Sequence, residues 1–394
     1  MRHLETGGNS TTWSVELRTA CGPFLISRLL ILLLWAGSAG LTPVVSDHSS
    51  SAAQDVHVVI DARRTTDRLR AMAVANDAGF YYSIAEDGYE KRPFDVSRAA
   101  NWAFFPLHPL LWSMVLRAMG GDAISGVLLA NLTFLLALCV VHRLVHAQYS
   151  DDEAAKRALW FLCFCPTTYF FSLPWSESLF LLLTAATWLA FERRAWTSMA
   201  ILGIAATACR FAAIFLVLGI AVELWRRREL LSWRSIAACA AMPVGLVAFM
   251  ALLWAKTGNA LAFVDIQSLW GRTLTLPFKA FGVVLVKPYF LASDWNLRPL
   301  NFIAFCAAAG VSVWLLRRQQ WGLALFTALS VLAPAMTGSL TSMARYSFVL
   351  FPVAMVYGLW SGKGSRERAV LTLMTVLLAV LAVAFERNLA FAGA

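Results

Sequence analysis

The sequence predicts an all-α polytopic membrane protein, and three observations carry that prediction. Of its 394 residues, 59% are hydrophobic and only 14% charged, too few charges to clothe a soluble globule of this size. Apolar runs long enough to cross a bilayer recur down to the C-terminal end. Lys and Arg fall in short clusters between those runs, and sixteen Trp are available for two interfacial belts. The net charge of +10 is therefore the positive-inside pattern rather than a nucleic-acid footprint, and no nucleic-acid partner is expected.

The first apolar run, about 24–45, has Arg2, Arg18 and Arg28 towards its N-terminal side, and residues 1–23 are expected to form a cytoplasmic N-terminal segment. It could be a signal peptide ending at AGSAG, but it continues through Leu41 to Val45, so an uncleaved helix is the better reading. An extracytoplasmic loop then covers 46–119, and its last part, opening on FFPLHP, is short enough to be an interfacial helix at 104–119. Residues 122–146 run inward, QYSDDEAAKR (148–157) turns in the cytoplasm, 158–174 run out and 176–191 run back.

Four basic clusters, Arg193-Arg194, Arg226 to Arg228, Arg317-Arg318 and Lys363 to Arg368, are assigned to the cytoplasm. The 31 residues between Arg194 and Arg226 must then form two short helices turning at TACRF (207–211), which puts Arg210 at the outer apex of a hairpin. The span 235–255 follows, then a second extracytoplasmic loop, 256–299, with an apolar patch at 277–291. Spans 300–316 and 321–337, the outer turn TGSLTSMARYS, and spans 347–361 and 369–385 complete about eleven crossings, with the N-terminus inside and the C-terminus outside. The basic residues Arg63, Arg64, Arg68, Arg70, Lys91, Arg92 and Arg98 in the first loop oppose the rule, but long loops are translocated with little regard to charge.

The seven Cys lie almost all inside apolar runs and read as small core residues, not a disulfide framework. Cys163 and Cys165, two apart, point in different directions on a helix, and no carboxylates cluster at metal spacing, so no metal is expected. His142 and His146 share a helix face beside Arg143 and suit interfacial anchoring.

This topology gathers Asp77, Glu86, Asp87, His108, Glu177, Arg210, Gln267, Arg272 and Arg345 on the outer face, where an active site is expected. As a surface helix, NDAGFYYSIAEDGY puts Asp77, Tyr81, Ile84 and Gly88 on one side and Glu86 nearly opposite. A carboxylate on the protein-facing side is a candidate base, although Asn76 and Asp77 also suit a helix cap. Arg210 at membrane depth needs a partner, either a phosphate or a carboxylate such as Glu177. Arg345 could hold a second phosphate oxygen or snorkel to the surface.

NDAGFYYSIAEDGY followed by NWAFFPLHPLL resembles the start of the PIG-V family, the mannosyltransferases that add the second mannose in GPI-anchor synthesis, with many bacterial relatives. NLTFLLA (131–137), CPTTYFFSLPWSESLFLLL (165–183), RRAWTSMAILGIAATACRF (193–211), TGNALAFVDIQSLWGR (257–272) and ARYSFVLFP (344–352) extend the resemblance in order. It implies a GT-C-like bundle with an acidic residue on the first outer loop and a polyprenyl-phosphate-linked sugar donor. Asp77 matches the acid of the family's Trp-Asp motif, Glu177 its Ser-Glu turn, Arg210 its Thr-Arg position, Gln267 its Ala-Gln position and Arg345 its Arg-Tyr/Phe position. Asn76 stands where Trp is usual, Cys209 where Thr is common and Ile266 where Ala is common; His108 also departs from the family's usual residue.

The resemblance implies transfer of mannose, with inversion, to a hydroxyl of a glycolipid, glycan or protein acceptor at the outer face of a bacterial plasma membrane. Asp77 would be the base, Arg210 and Arg345 the donor-phosphate ligands, and Glu177, Gln267, Arg272, His108 and Tyr81 substrate-binding residues. Arg side chains can neutralise a lipid phosphate, so no cofactor is implied. The alternative is a transporter or flippase of a lipid-linked sugar, but the sequence has no clear internal repeat and its polar residues sit at the outer edge.

Overall fold

A computed structural model describes residues 13–39, 65–276, 279–282, 298–362 and 364–387. The expected ends of the two outer loops, 46–64 and much of 277–299, lie outside the described residues, as does the continuation of the first run beyond Ala39. The described residues are helical, with no strand among them. In chain order the helices are α1 Ser14–Ala39, α2 Thr65–Ala73, α3 Asp77–Asp87, α4 Leu107–Ala118, α5 Ile124–Tyr149 and α6 Asp152–Phe164. Then come α7 Glu177–Glu192, α8 Trp196–Cys209, α9 Ala213–Arg226, α10 Trp233–Ala241, α11 Val244–Thr257 and α12 Ala262–Asp265. The last five are α13 Arg298–Arg317, α14 Trp321–Ala335, α15 Met343–Phe348, α16 Phe351–Ser361 and α17 Ser365–Arg387.

Five stretches are long and apolar enough to cross a membrane: Ser14–Ser38, Ile124–Tyr149, Trp233–Thr257, Arg298–Arg317 and Ser365–Glu386. Trp196–Cys209, Trp321–Ala335 and Phe351–Ser361 are apolar but shorter. A helix rises about 1.5 Å per residue, so these shorter ones fall below the ~30 Å of a hydrocarbon core. Of the eleven expected crossings, five fall on stretches of spanning length and the others on shorter helices, the one expected at 158–174 overlapping α6 only over 158–164.

α7 is the centre of the bundle. It packs on α5, α8 and α9 and is buried along nearly its whole length. α6 pairs with α16, and α1 closes against α5, α6 and the last helix, α17, where the Trp35 indole donates to the Ala382 carbonyl. On the other flank α9 packs on α14 and α14 on α13. α3 lies against α4, α4 against α5 and α8, and α15 bridges α13 and α14.

The boundaries differ from expectation where local chemistry overrides hydropathy. α1 starts at Ser14, ten residues before the apolar run, and carries Pro23 inside it, so the segment 1–23 is partly helical. The turn expected at 148–157 contracts to Ser150-Asp151: Ser150 adopts φ 53°, and the Asp151 carboxylate caps α6 by accepting from the Ala154 N–H. The acidic Asp152 and Glu153 that suggested a loop sit in the first turn of α6, where they favour the helix dipole. α6 then stops at Phe164, well short of 174, and a 3-10 turn at Thr168–Phe171 follows.

Pro166, two residues past Phe164, cannot continue the helix, and Arg28, near the middle of α1, holds the irregular segment that follows. Its guanidinium donates to the Thr168 carbonyl (3.1 Å), the Thr168 hydroxyl (2.7 Å) and the Ser172 hydroxyl (2.8 Å), and it lies over the Phe134 ring. Ser172 in turn donates to Asn131 of the NLTFLLA motif (3.1 Å), so α1, α5 and the irregular segment are tied together. The segment ends at Pro174-Trp175-Ser176, which delivers Glu177 to the start of α7.

Small residues let helices approach closely, as between α9 and α14. A Cβ on Gly219 would sit 2.4 Å from the Gly322 carbonyl oxygen, and one on Gly322 would sit 2.4 Å from that of Gly219. The contact lets the buried Glu223 carboxylate accept the Gly322 N–H (2.9 Å) at the start of α14. Gly219→Ala is expected to separate α9 from α14 and destabilise the fold by about 1–3 kcal/mol, the range for overpacking. A thermal melt in detergent reads this directly, and an unchanged midpoint would refute the contact.

Candidate active site

α3 supplies the first functional side chain. Tyr81 and Ile84 face inward and Glu86 and Asp87 face water, as the helical spacing predicts. Gly88 lies beyond the helix as its C-cap (φ 83°), so it does not extend the inward stripe. Asn76 precedes the helix at φ 53° without a side-chain cap; Asn is one of the few non-glycine residues that enters positive φ readily. Asp77 stands in the first turn with 37% of its side chain exposed.

Three distant segments bring cations to the site, one of them to Asp77 itself. Arg345, from the short helix α15, donates from Nη1 to Asp77 Oδ2 (2.9 Å), and its Nε lies 3.5 Å from Glu177 Oε1. Arg210, in the extended break between α8 and α9, donates to that same Glu177 oxygen at 2.5 Å. Glu177 is itself only 3% exposed, at the N-terminus of α7. The hairpin apex inferred from charge counting is therefore present, and its Arg meets the carboxylate named as its structural partner.

The Arg345 guanidinium stacks over Trp175 (4.6 Å), Phe170 (5.5 Å) and Tyr346 (5.0 Å), which fixes its plane. Arg272, just after the 3-10 turn Ile266–Trp270, donates to the Gln267 carboxamide (3.2 Å) and to the Tyr346 hydroxyl (3.1 Å). Arg345 donates to that hydroxyl as well (3.2 Å). Asp77, Glu177, Arg210, Gln267, Arg272 and Arg345 thus form one continuous network with Tyr346 at its junction. Three guanidiniums against two carboxylates leave it one positive charge.

Tyr81 and His108 lie behind this network. The Tyr81 hydroxyl donates to Ser176 Oγ (2.9 Å), and His108 Nε2 donates to the Pro174 carbonyl (3.0 Å), with the two rings edge to face at 5.0 Å. His108 is 1% exposed, and burial outweighs the Pro174 carbonyl to lower its pKa to about 4, so the ring is neutral at pH 7. Both residues brace the Pro174–Ser176 turn that presents Glu177. Gly126 completes the brace, because a Cβ there would meet Trp112 and Pro174 at 2.4–2.5 Å.

Sequence reasoning passed over Tyr346, Trp175 and Phe170. Tyr346 was visible only as the neighbour of Arg345, and nothing in its spacing shows that three Arg residues converge on it. Burial pushes its hydroxyl pKa up, but Arg272, Arg345 and Arg210 outweigh burial and pull it down to about 8. Among the described residues, no group of three His, Cys, Asp or Glu is placed to hold a metal ion.

A family model described as Mannosyltransferase (PIG-V) matches residues 23–227, just over half of the chain and all of the site except Gln267, Arg272, Arg345 and Tyr346. No curated protein matches the chain. Among solved structures, the Archaeoglobus fulgidus oligosaccharyltransferase in its apo form aligns with a TM-score of 0.49 and 14% identity, over 93% of this chain and 56% of that one. The oligosaccharyltransferase AglB of Archaeoglobus fulgidus, in complex with an inhibitory peptide and a dolichol-phosphate, aligns with a TM-score of 0.45 and 11% identity, over 95% and 56%. The chain spans little more than half the length of these solved proteins.

Proposed function

The chain belongs to the PIG-V mannosyltransferase family, and from that premise we propose that it transfers mannose from a polyprenyl-phosphate donor to an acceptor hydroxyl at the extracytoplasmic face of a bacterial plasma membrane. The observation that carries the proposal is the pairing of one half-exposed carboxylate, Asp77, with a cluster of three Arg residues that keeps a net positive charge. A phosphodiester donor carries one negative charge, and its leaving phosphate carries two. A positive cluster therefore favours the leaving group over the bound donor, which is the difference that accelerates a reaction.

In the proposed step the acceptor oxygen attacks C1 of the sugar from the face opposite the phosphate. Its proton passes to Asp77, whose Oδ1 takes no hydrogen bond among the described residues while Oδ2 is held by Arg345. The C1–O bond breaks with its electron pair on the phosphate, which Arg210, Arg345 and Arg272 neutralise, and the anomeric centre inverts. Glu177 keeps Arg210 and Arg345 in register, Gln267 orients Arg272, and no cofactor enters the scheme.

The direct test incubates reconstituted protein with radiolabelled polyprenyl-phosphate mannose and a membrane lipid extract. The expected product is a mannosylated acceptor of inverted anomeric configuration by NMR. Direct turnover with a nucleotide sugar would overturn the proposed donor. Movement of the labelled lipid across the bilayer with no sugar transferred would favour the transporter.

A further inference from the structure

Tyr346 sits at the junction of the network, and the proposed transfer gives it no task. Its oxygen accepts from Arg272 Nη2 at 3.1 Å and from Arg345 Nη2 at 3.2 Å, which occupies both lone pairs. The hydroxyl hydrogen is left for a third partner, and no acceptor receives it among the described residues. The ring also lies 5.7 Å from the Arg210 guanidinium and remains partly exposed. Two guanidinium N–H groups on one oxygen leave the O–H bond little freedom and turn its hydrogen away from them, free for an acceptor that the Arg residues also reach.

We propose that Tyr346 is a further phosphate-binding residue of this site, its O–H donating to the lipid-linked phosphate alongside Arg345 and Arg272. The proposal rests on the lipid-phosphate donor reading and adds to it a group that titrates. The charged groups facing the phenol are Arg345 on its own helix, Arg272 after the 3-10 turn, Arg210 from the α8–α9 break and Asp77 from α3. Glu177 on α7 acts through the two Arg residues that it holds. Ionising the phenol removes a hydrogen-bond donor and cancels the single net positive charge. Both effects weaken anion binding, so binding is retained while the phenol is protonated and is lost as pH rises through its pKa of about 8. A phenol that only spaced the Arg residues apart would leave Tyr346→Phe binding as tightly as the wild type at the lower pH limit, where the phenol is mostly protonated.

The test uses the full chain in detergent and a short-chain polyprenyl monophosphate as probe, with affinity measured by calorimetry between about pH 7.5 and 9.5. A phosphate monoester has its second pKa near 6, so the probe is almost wholly dianionic over this range. Wild-type affinity is expected to fall about tenfold across it, the scale of one charge-assisted hydrogen bond. Tyr346→Phe is expected to bind about tenfold more weakly at the lower limit, with no further fall. Replacing Tyr346 by 3-fluorotyrosine keeps the ring and hydroxyl in place and lowers the phenol pKa, so the fall should move to lower pH. A wild-type fall retained in Tyr346→Phe, or an unmoved fall in the fluorinated protein, would overturn the role of Tyr346. If Arg210→Ala also bound the probe as wild type does, the lipid-phosphate reading itself would fail. If Arg210→Ala weakened binding while Tyr346→Phe did not, only Tyr346 would be misassigned.

Discussion

Asp77→Asn is expected to lower turnover by about 10²–10⁴, the range for loss of a general base, while leaving folding and donor binding close to wild type. The substitution keeps an oxygen for the Arg345 N–H that Asp77 Oδ2 now accepts, so Arg345 stays in place. It acts on a side chain that is 37% exposed, so little packing is disturbed. What it removes is the ability to take a proton. Glu86→Gln, on the water-facing side of the same helix, is the matched control and should change turnover little. The measurement is turnover at saturating donor, with affinity for the donor measured separately. Near-wild-type turnover in Asp77→Asn would exclude Asp77 as the base.

Arg210→Ala is expected to nearly abolish use of the lipid donor while affecting acceptor binding little. Arg210→Lys should fall between, because a lysine keeps the charge but not the forked donor geometry. A loss of folding could mimic this result. Removing one partner of a buried ion pair costs about 3–5 kcal/mol, and Glu177 is almost wholly enclosed. Arg345 remains 3.5 Å from the same oxygen, which places the cost toward the lower end. The double variant Arg210→Ala/Glu177→Gln removes the stranded charge and should recover stability without recovering donor use. Varying the lipid donor in steady-state kinetics, beside a thermal melt of each variant, separates the two effects. Unchanged donor dependence in Arg210→Ala would remove Arg210 from the donor site.

The sequence disclosed some of this more readily than the rest, for physical reasons. Charge clusters are local and their sidedness is a strong rule, so 31 residues between two of them sufficed to locate the turn at Arg210. Helical spacing likewise sorted Tyr81 and Ile84 from Glu86 on α3. Periodicity gives the face of a residue and not its depth. Tyr81 and His108 were expected at the substrate; they lie behind the Arg–carboxylate network, against the Pro174–Ser176 turn. The early end of α6 was legible in Pro166, two residues past the helix, but the expected crossing ran through it because the aromatic residues that follow keep the hydropathy high. What the sequence hides is Arg28, 140 residues away from Thr168, which holds the irregular segment once the helix has stopped. Tyr346 escaped for a related reason: three of the segments around it meet only in the folded chain.

The tie between Arg28 and the Thr168–Ser172 segment constrains how the protein can be assembled. All of the guanidinium's partners are neutral oxygens, so α1 carries an uncompensated charge whenever it lies in lipid alone. On insertion scales an Arg at the centre of a helix costs about 2.5–3.5 kcal/mol. The irregular segment carries the converse debt, because its freed backbone carbonyl has no acceptable neighbour in hydrocarbon. Each half is thus a poor transmembrane element until it meets the other, and the meeting cannot occur before residue 172 has been synthesised. α1 should therefore remain at the translocon or a chaperone until the α6–α7 hairpin arrives, and a chain truncated before Thr168 should leave its first helix exposed to quality control.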